Sequence, residues 1–155
     1  MFGAANPESG FAVQSLANTL ELQGRIDEAE SLLSDAFALV AGALGDDNLR
    51  AASMAVDLAR VRIAQGHTAG VEEMMRHALA VRERILPPGH WRIAEAQALL
   101  GASLAAQSRV GEAEALMSAA DRALKPVPGR QLRDRDLNRE RLQRLRNSRV
   151  TSSVR

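Results

Sequence analysis

Residues 90–124 read HWRIAEAQALLGASLAAQSRVGEAEALMSAADRAL, and their apolar spacing recurs 42 residues upstream and again 84 residues upstream. Leu16, Leu58 and Leu100 share a position, as do Ala17, Ala59 and Gly101. Further columns hold Gly24, Gly66 and Ser108, then Glu30, Glu72 and Glu114, then Ala36, Ala78 and Ala120. Leu33, Met75 and Met117 fill a bulky slot. Within each period the first half sets bulky and small residues on one face of a helix, and the second half sets small, bulky, small on the next. Helices that meet through small residues pack closely. A period of this length marks an array in which no unit can bury its apolar face alone and each stacks on its neighbour.

Composition agrees. Aromatic residues make up 3% of the chain against an apolar fraction of 46%, so the interior must be built from Ala, Leu, Val and Met, which suits helix packing better than a β-sandwich. At 155 residues the chain fits one domain and can bury roughly 70% of its extended surface. The absence of cysteine removes disulfides and thiolate metal sites. His67, His77 and His90 have no partner at ligand spacing, so no metal and no cofactor are predicted. No apolar run reaches the ~18 residues of a spanning helix, and MFGAANPESG lacks the basic and apolar segments of a signal peptide, which leaves the cytoplasm as the predicted compartment.

The segments beginning LANTLELQGRIDEAESLLSDAFAL at Leu16 and LLGASLAAQSRVGEAEALMSAADRAL at Leu99 resemble the tetratricopeptide repeat family, in its 42-residue, kinesin-light-chain-like variety. The shared pattern is leucine, small residue, hydrophobic residue, glycine turn, E-A-E and alanine, over roughly residues 6 to 124. LPPGHWRIAEAQALLGASLAAQ looks like the repeats at the carboxyl ends of bacterial serine/threonine kinases. The resemblance implies an all-α fold, a right-handed α-solenoid of three helix-turn-helix repeats (about 6–47, 48–89 and 90–124) plus a terminal capping helix. The second unit departs from the pattern, with Arg62 in an apolar slot and Val71 where alanine belongs, which predicts a wider helix contact there.

In chain order, helices are predicted at about 8–23, 27–44, 49–65, 70–86, 91–107 and 111–124, with Pro87-Pro88-Gly89 as a firm break. After a KPVPG turn, a basic capping helix follows to about 147, and 148–155 reads as a disordered tail. Residues 1–124 hold 10 arginines against 16 acids, a balance of −6. Residues 125–155 hold nine arginines and Lys125 against three acids, a balance of +7.

The family implies a protein-interaction scaffold that presents a concave groove to a peptide or partner protein. Helical spacing and the period place Phe11, Gln14, Asn18 and Glu21 on that face in the first unit; Ser53, Val56, Arg60 and Ile63 in the second; Glu95, Ala98, Ala102 and Ala105 in the third. Gln14, Asn18, Glu21, Arg60 and Glu95 are its polar candidates. Phe11, Val13, Leu16, Leu20 and Leu22 spread too widely over the first helix for one partner helix to cover, which suggests that something else packs there, either an upstream segment or a second copy, in a homo-dimer through Phe11, Val13, Leu20 and Leu22. The arginines of the last helix raise nucleic acid as a partner, but no aromatic residue after Trp91 is available to stack on a base, and Asp134, Asp136 and Glu140 interleave with them. Trp91 is read as packing on the preceding loop. Glu72 with Glu73 and Glu112 with Glu114 are paired carboxylates at helix starts, where negative charge complements the dipole. No nucleophile has a base at credible spacing, so no catalytic residue is assigned.

Overall fold

The computed structural model describes residues 7–124 and 129–152. Over these the chain forms seven helices: α1 (Pro7–Leu22), α2 (Ile26–Leu44), α3 (Leu49–Gln65), α4 (Val71–Ile85), α5 (Trp91–Ala106), α6 (Val110–Ala123) and α7 (Arg130–Ser152). Each packs on the next along the chain, and α5 also touches α3 and α7. The result is a helical repeat solenoid of three hairpins followed by α7.

The turn within each hairpin has one physical cause. Gly24 and Gly66 hold φ of +75° and +79°, and Ser108, in the same column, holds +62°. Glycine takes this left-handed backbone without strain, whereas serine does so at a cost of about 1–2 kcal/mol. Ser108 is the only non-glycine residue there among those described. Asn48 caps α3, its side-chain oxygen accepting from the backbone N–H groups of Arg50 and Ala51, both at 2.9 Å.

Packing follows the columns. Leu33, Met75 and Met117 are fully enclosed, and so are Ala59, Ala78, Ala113 and Ala120. At Gly101 an added Cβ would lie 2.5 Å from Met117 Cγ and 3.1 Å from the Ala113 carbonyl oxygen, so α5 and α6 cross at a distance only glycine permits. Val71 does not open the second unit to solvent, since it is fully buried in the main core cluster with Ala55, Ala59 and Met75. Arg62, the other departure, turns its guanidinium onto Glu30 at 2.9 Å. Trp91 stacks on His90, the last residue of the loop before it, and also packs with Ala94, Ala98, Ala120 and Leu124 at the end of α6.

α7 occupies the place of a fourth first-helix. Leu142, one period after Leu100, is buried with Leu145 in the main cluster. Asn138 donates to the Met117 carbonyl oxygen at 2.8 Å, Arg139 pairs with Asp121, and Arg146 pairs with Glu114 at 2.8 Å. These contacts run in opposite senses on the two helices, so α7 lies antiparallel to α6. The predicted disordered tail is corrected over 148–152, which are helical. Once Leu142 and Leu145 anchor the turn before, each added residue contributes a backbone bond without a new nucleation cost, and Ser148 Oγ donates to the Leu145 carbonyl oxygen. Residues 153–155, residues 1–6 and most of the KPVPG turn lie outside the described residues.

Candidate functional site

The inner side of α1 and α3 and the first turns of α7 enclose a cleft of about 460 Å³. Gln14, Asn18 and Glu21 reach it from α1, Asp57 and Arg60 from α3, and Arg133, Asp134 and Leu137 from α7. Four of the five polar residues predicted for the concave face, Gln14, Asn18, Glu21 and Arg60, are therefore brought together.

Gln14, Glu21 and Arg60 form one network with Asp57. Gln14 donates to Asp57 at 2.6 Å, Arg60 pairs with Glu21 at 2.7 Å, and Arg60 also lies 3.6 Å from Asp57. Asp57 is almost wholly buried, so these donors are what allow a carboxylate to sit on α3 at the base of the cleft. Across the opening, Arg133 donates to Asn18 at 3.3 Å. Burial lowers the Arg141 pKa below the ordinary arginine value, with Arg144 and Arg60 pushing the same way and Asp134 and Glu140 opposing. A partly desolvated cation thus stands beside the network.

Glu95 is not among these residues. It is 3% exposed and pairs with Arg82, itself 1% exposed, at 2.9 Å. The seam between α4 and α5 consumes it, because Arg82 extends inward from the last turn of α4 and also donates to the Arg92 carbonyl oxygen. Val56, Ala98 and Ala102, predicted to line the groove, are buried as well. The set proposed for self-association divides in the same way. Leu20 is buried, Val13 is half-buried against Leu33 and Met54, and Leu22 is 77% exposed; the Phe11 side chain lies outside the described residues. Val13 and Leu20 point inward because α2 and α3 both close on α1.

Of the paired carboxylates at helix starts, Glu72 and Glu112 are held ionised by arginine. Glu72 has its pKa lowered to about 2, first by Arg76, then by Gln107 and Arg109, and Glu112 is lowered by Arg109. A general acid near neutral pH needs the opposite shift. Arg135, Arg139, Arg144 and Arg146 of α7 are similarly engaged, with Asp136, Asp121, Glu140 and Glu114 in turn.

Asp57, Arg133, Asp134, Leu137 and Arg141 are residues of this region that the sequence reading missed. The signal was present for Arg141, which falls in the column of Asp57 and Leu99, but Arg133 reaches α1 only through the curvature of the stack.

Residues 11–84 match the tetratricopeptide repeat family. Residues 11–84, just under half of the chain, carry tetratricopeptide repeats. A kinesin light chain candidate from Podosopora anserina with nearly identical TPR-like repeats superposes with a TM-score of 0.74 at 22% identity, over 97% of this chain and 72% of that one. A point variant of it gives 0.73 at 22% identity over 99% and 72%. BtubC (BKLC) from P. vanneervenii gives 0.65 at 21% identity, over 82% of this chain and 53% of its own. At such identities the likeness speaks for the fold. No curated protein matches the chain. Tetratricopeptide repeats generally mediate protein–protein interactions, and no described helix is long and apolar enough to cross a membrane.

Proposed function

We propose that the protein is an interaction scaffold whose cleft between α1, α3 and α7 takes an extended, acidic peptide segment of a partner protein. The observation that carries this reading is the convergence of side-chain amides and cations at one concave place: Gln14 and Asn18 beside Arg60, with Arg133 at the opening. Amides can bond a peptide backbone, and guanidinium groups suit a carboxylate. The ligand exchanges with Glu21 for Arg60 and with Asn18 for Arg133, so its affinity is modest and salt-sensitive. The resemblance to kinase-associated repeats supports a regulatory setting. The pairing of Arg139 and Arg146 with Asp121 and Glu114 on α6 favours a capping role for that helix over nucleic-acid binding.

The test is selection of a displayed random 12-residue peptide library on the protein and on its Arg60→Ala and Asn18→Ala variants. An acidic consensus enriched on the parent and lost on the variants supports the cleft. Identical enrichment on all three removes it.

A further inference from the structure

The bare face of α1 repeats, residue for residue, faces that are covered elsewhere in the stack. Ala12, Ser15, Leu16 and Thr19 are exposed, whereas every residue one or two periods later is buried: Met54, Asp57, Leu58 and Val61, then Ala96, Leu99, Leu100 and Ser103. Leu16 is 51% exposed where Leu58 and Leu100 are each 2%. The second helix of the preceding hairpin makes the difference: α2 covers this face of α3, and α4 covers it on α5.

The polar edge of the face is set in the same way. Gln107 and Arg109 both bond Glu72 on α4, at 2.9 Å and 2.7 Å, the arginine through Nη1. Two periods earlier stand Gln23 and Arg25. Arg25 has backbone angles of −87° and 58°, and Arg109 has −85° and 62°. Each clamps the glutamate three residues on through Nε and Nη2, Glu28 in one case and Glu112 in the other. Among the described residues Arg25 Nη1 reaches Gln23 alone, at 3.3 Å, where Arg109 Nη1 holds a carboxylate.

We propose that this face of α1 is a seam that receives an amphipathic helix from a partner protein. That helix carries a glutamate for Gln23 and Arg25 and, three and six residues on, a bulky apolar residue and an alanine against Leu16. The stripe is that of Glu72, Met75 and Ala78. It recurs in this chain as Glu30, Leu33 and Ala36 and as Glu114, Met117 and Ala120, but those helices spend it on α3, α5 and α7, so a second copy has none to offer.

The probe is a synthetic peptide with the sequence of residues 68–88, capped at both ends and titrated into the isotope-labelled full chain. Binding should shift the amides of Ala12 to Thr19 and of Gln23 to Arg25. Arg25→Glu should weaken it at least about tenfold, and a peptide carrying Glu72→Arg should restore binding to that variant. Arg25 and Leu16 are exposed, and an unchanged thermal melt verifies that their variants fold. Shifts confined to Asp57, Arg60, Arg133 and Leu137 across the cleft, no effect of Arg25→Glu, or failure of the charge swap overturns the proposal. So does a concentration-dependent dimer that Leu16→Asp abolishes, since that gives the face to a second copy. The cleft variants Arg60→Ala and Asn18→Ala should leave peptide binding intact, which separates this seam from the cleft.

Discussion

At Gly101 the whole crossing of α5 and α6 depends on a missing methyl group. The nearest obstacles to a Cβ include the Ala113 carbonyl oxygen and the Met117 backbone nitrogen, which cannot step aside as a side-chain tip can. Gly101→Ala should lower the urea midpoint, with a loss of about 1–2 kcal/mol once the helix preference of alanine is set against overpacking. Gly42→Ala, on α2 with open space around the position, should instead raise it by about 0.5–1 kcal/mol. A pair of variants moving in the same direction would refute the close crossing. Not every residue announces such a constraint in the sequence. Gly101 did, because Ala17 and Ala59 share its column. Glu95 and Arg82 did not: each alone reads as a solvated charge near a helix end, and only the meeting of α4 and α5 shows that they neutralise one another out of water.

Among the elements, α4 is tied to the third hairpin by Glu72, which accepts from Arg76 on its own helix and from Gln107 and Arg109 beyond the next one. Its pKa is lowered from 4.5 to about 2. A folded carboxylate with a depressed pKa is protonated later than its unfolded counterpart, so the unfolded chain gains protons first on acidification. The contribution is complete above pH 4.5 and disappears as the pH falls toward about 2. Glu28, Glu30 and Glu112 are shifted in the same direction. The melting temperature should therefore decline across that window, and Glu72→Gln should flatten the decline; an equally steep profile in the variant would assign the acid sensitivity to other groups. Helix boundaries were legible to within a few residues because glycines, prolines and the period punctuate α1 to α6. The end of α7 was not, since its arginine-rich composition resembles a solvated tail and hides the two leucines that fix it.

For the molecule as a whole, α7 completes the interior: Leu142 and Leu145 enter the main cluster, while Arg139, Gln143 and Arg146 face water where the stack ends. Leu142→Ala should cost about 2–5 kcal/mol, a large part of the 5–15 kcal/mol that holds a domain together, and urea denaturation will read it. Leu137→Ala, further up the same helix and exposed, should change stability by less than about 0.5 kcal/mol. The solenoid was readable from the period, as was the gathering of Gln14, Asn18, Glu21 and Arg60. Closure of the cleft by α7 was not, because superhelical curvature is the sum of small rotations at every seam and no single residue encodes it.

The bond from Arg133 to Asn18 joins positions 115 residues apart. A coil assembled from neighbour contacts behaves as a spring, whose stiffness comes from its joints and whose resting aperture comes from whatever fastens its rims. Here that fastener has the strength of about one net hydrogen bond, ~0.5–1.5 kcal/mol, so a gentle pull would widen the ring before any joint between turns began to yield.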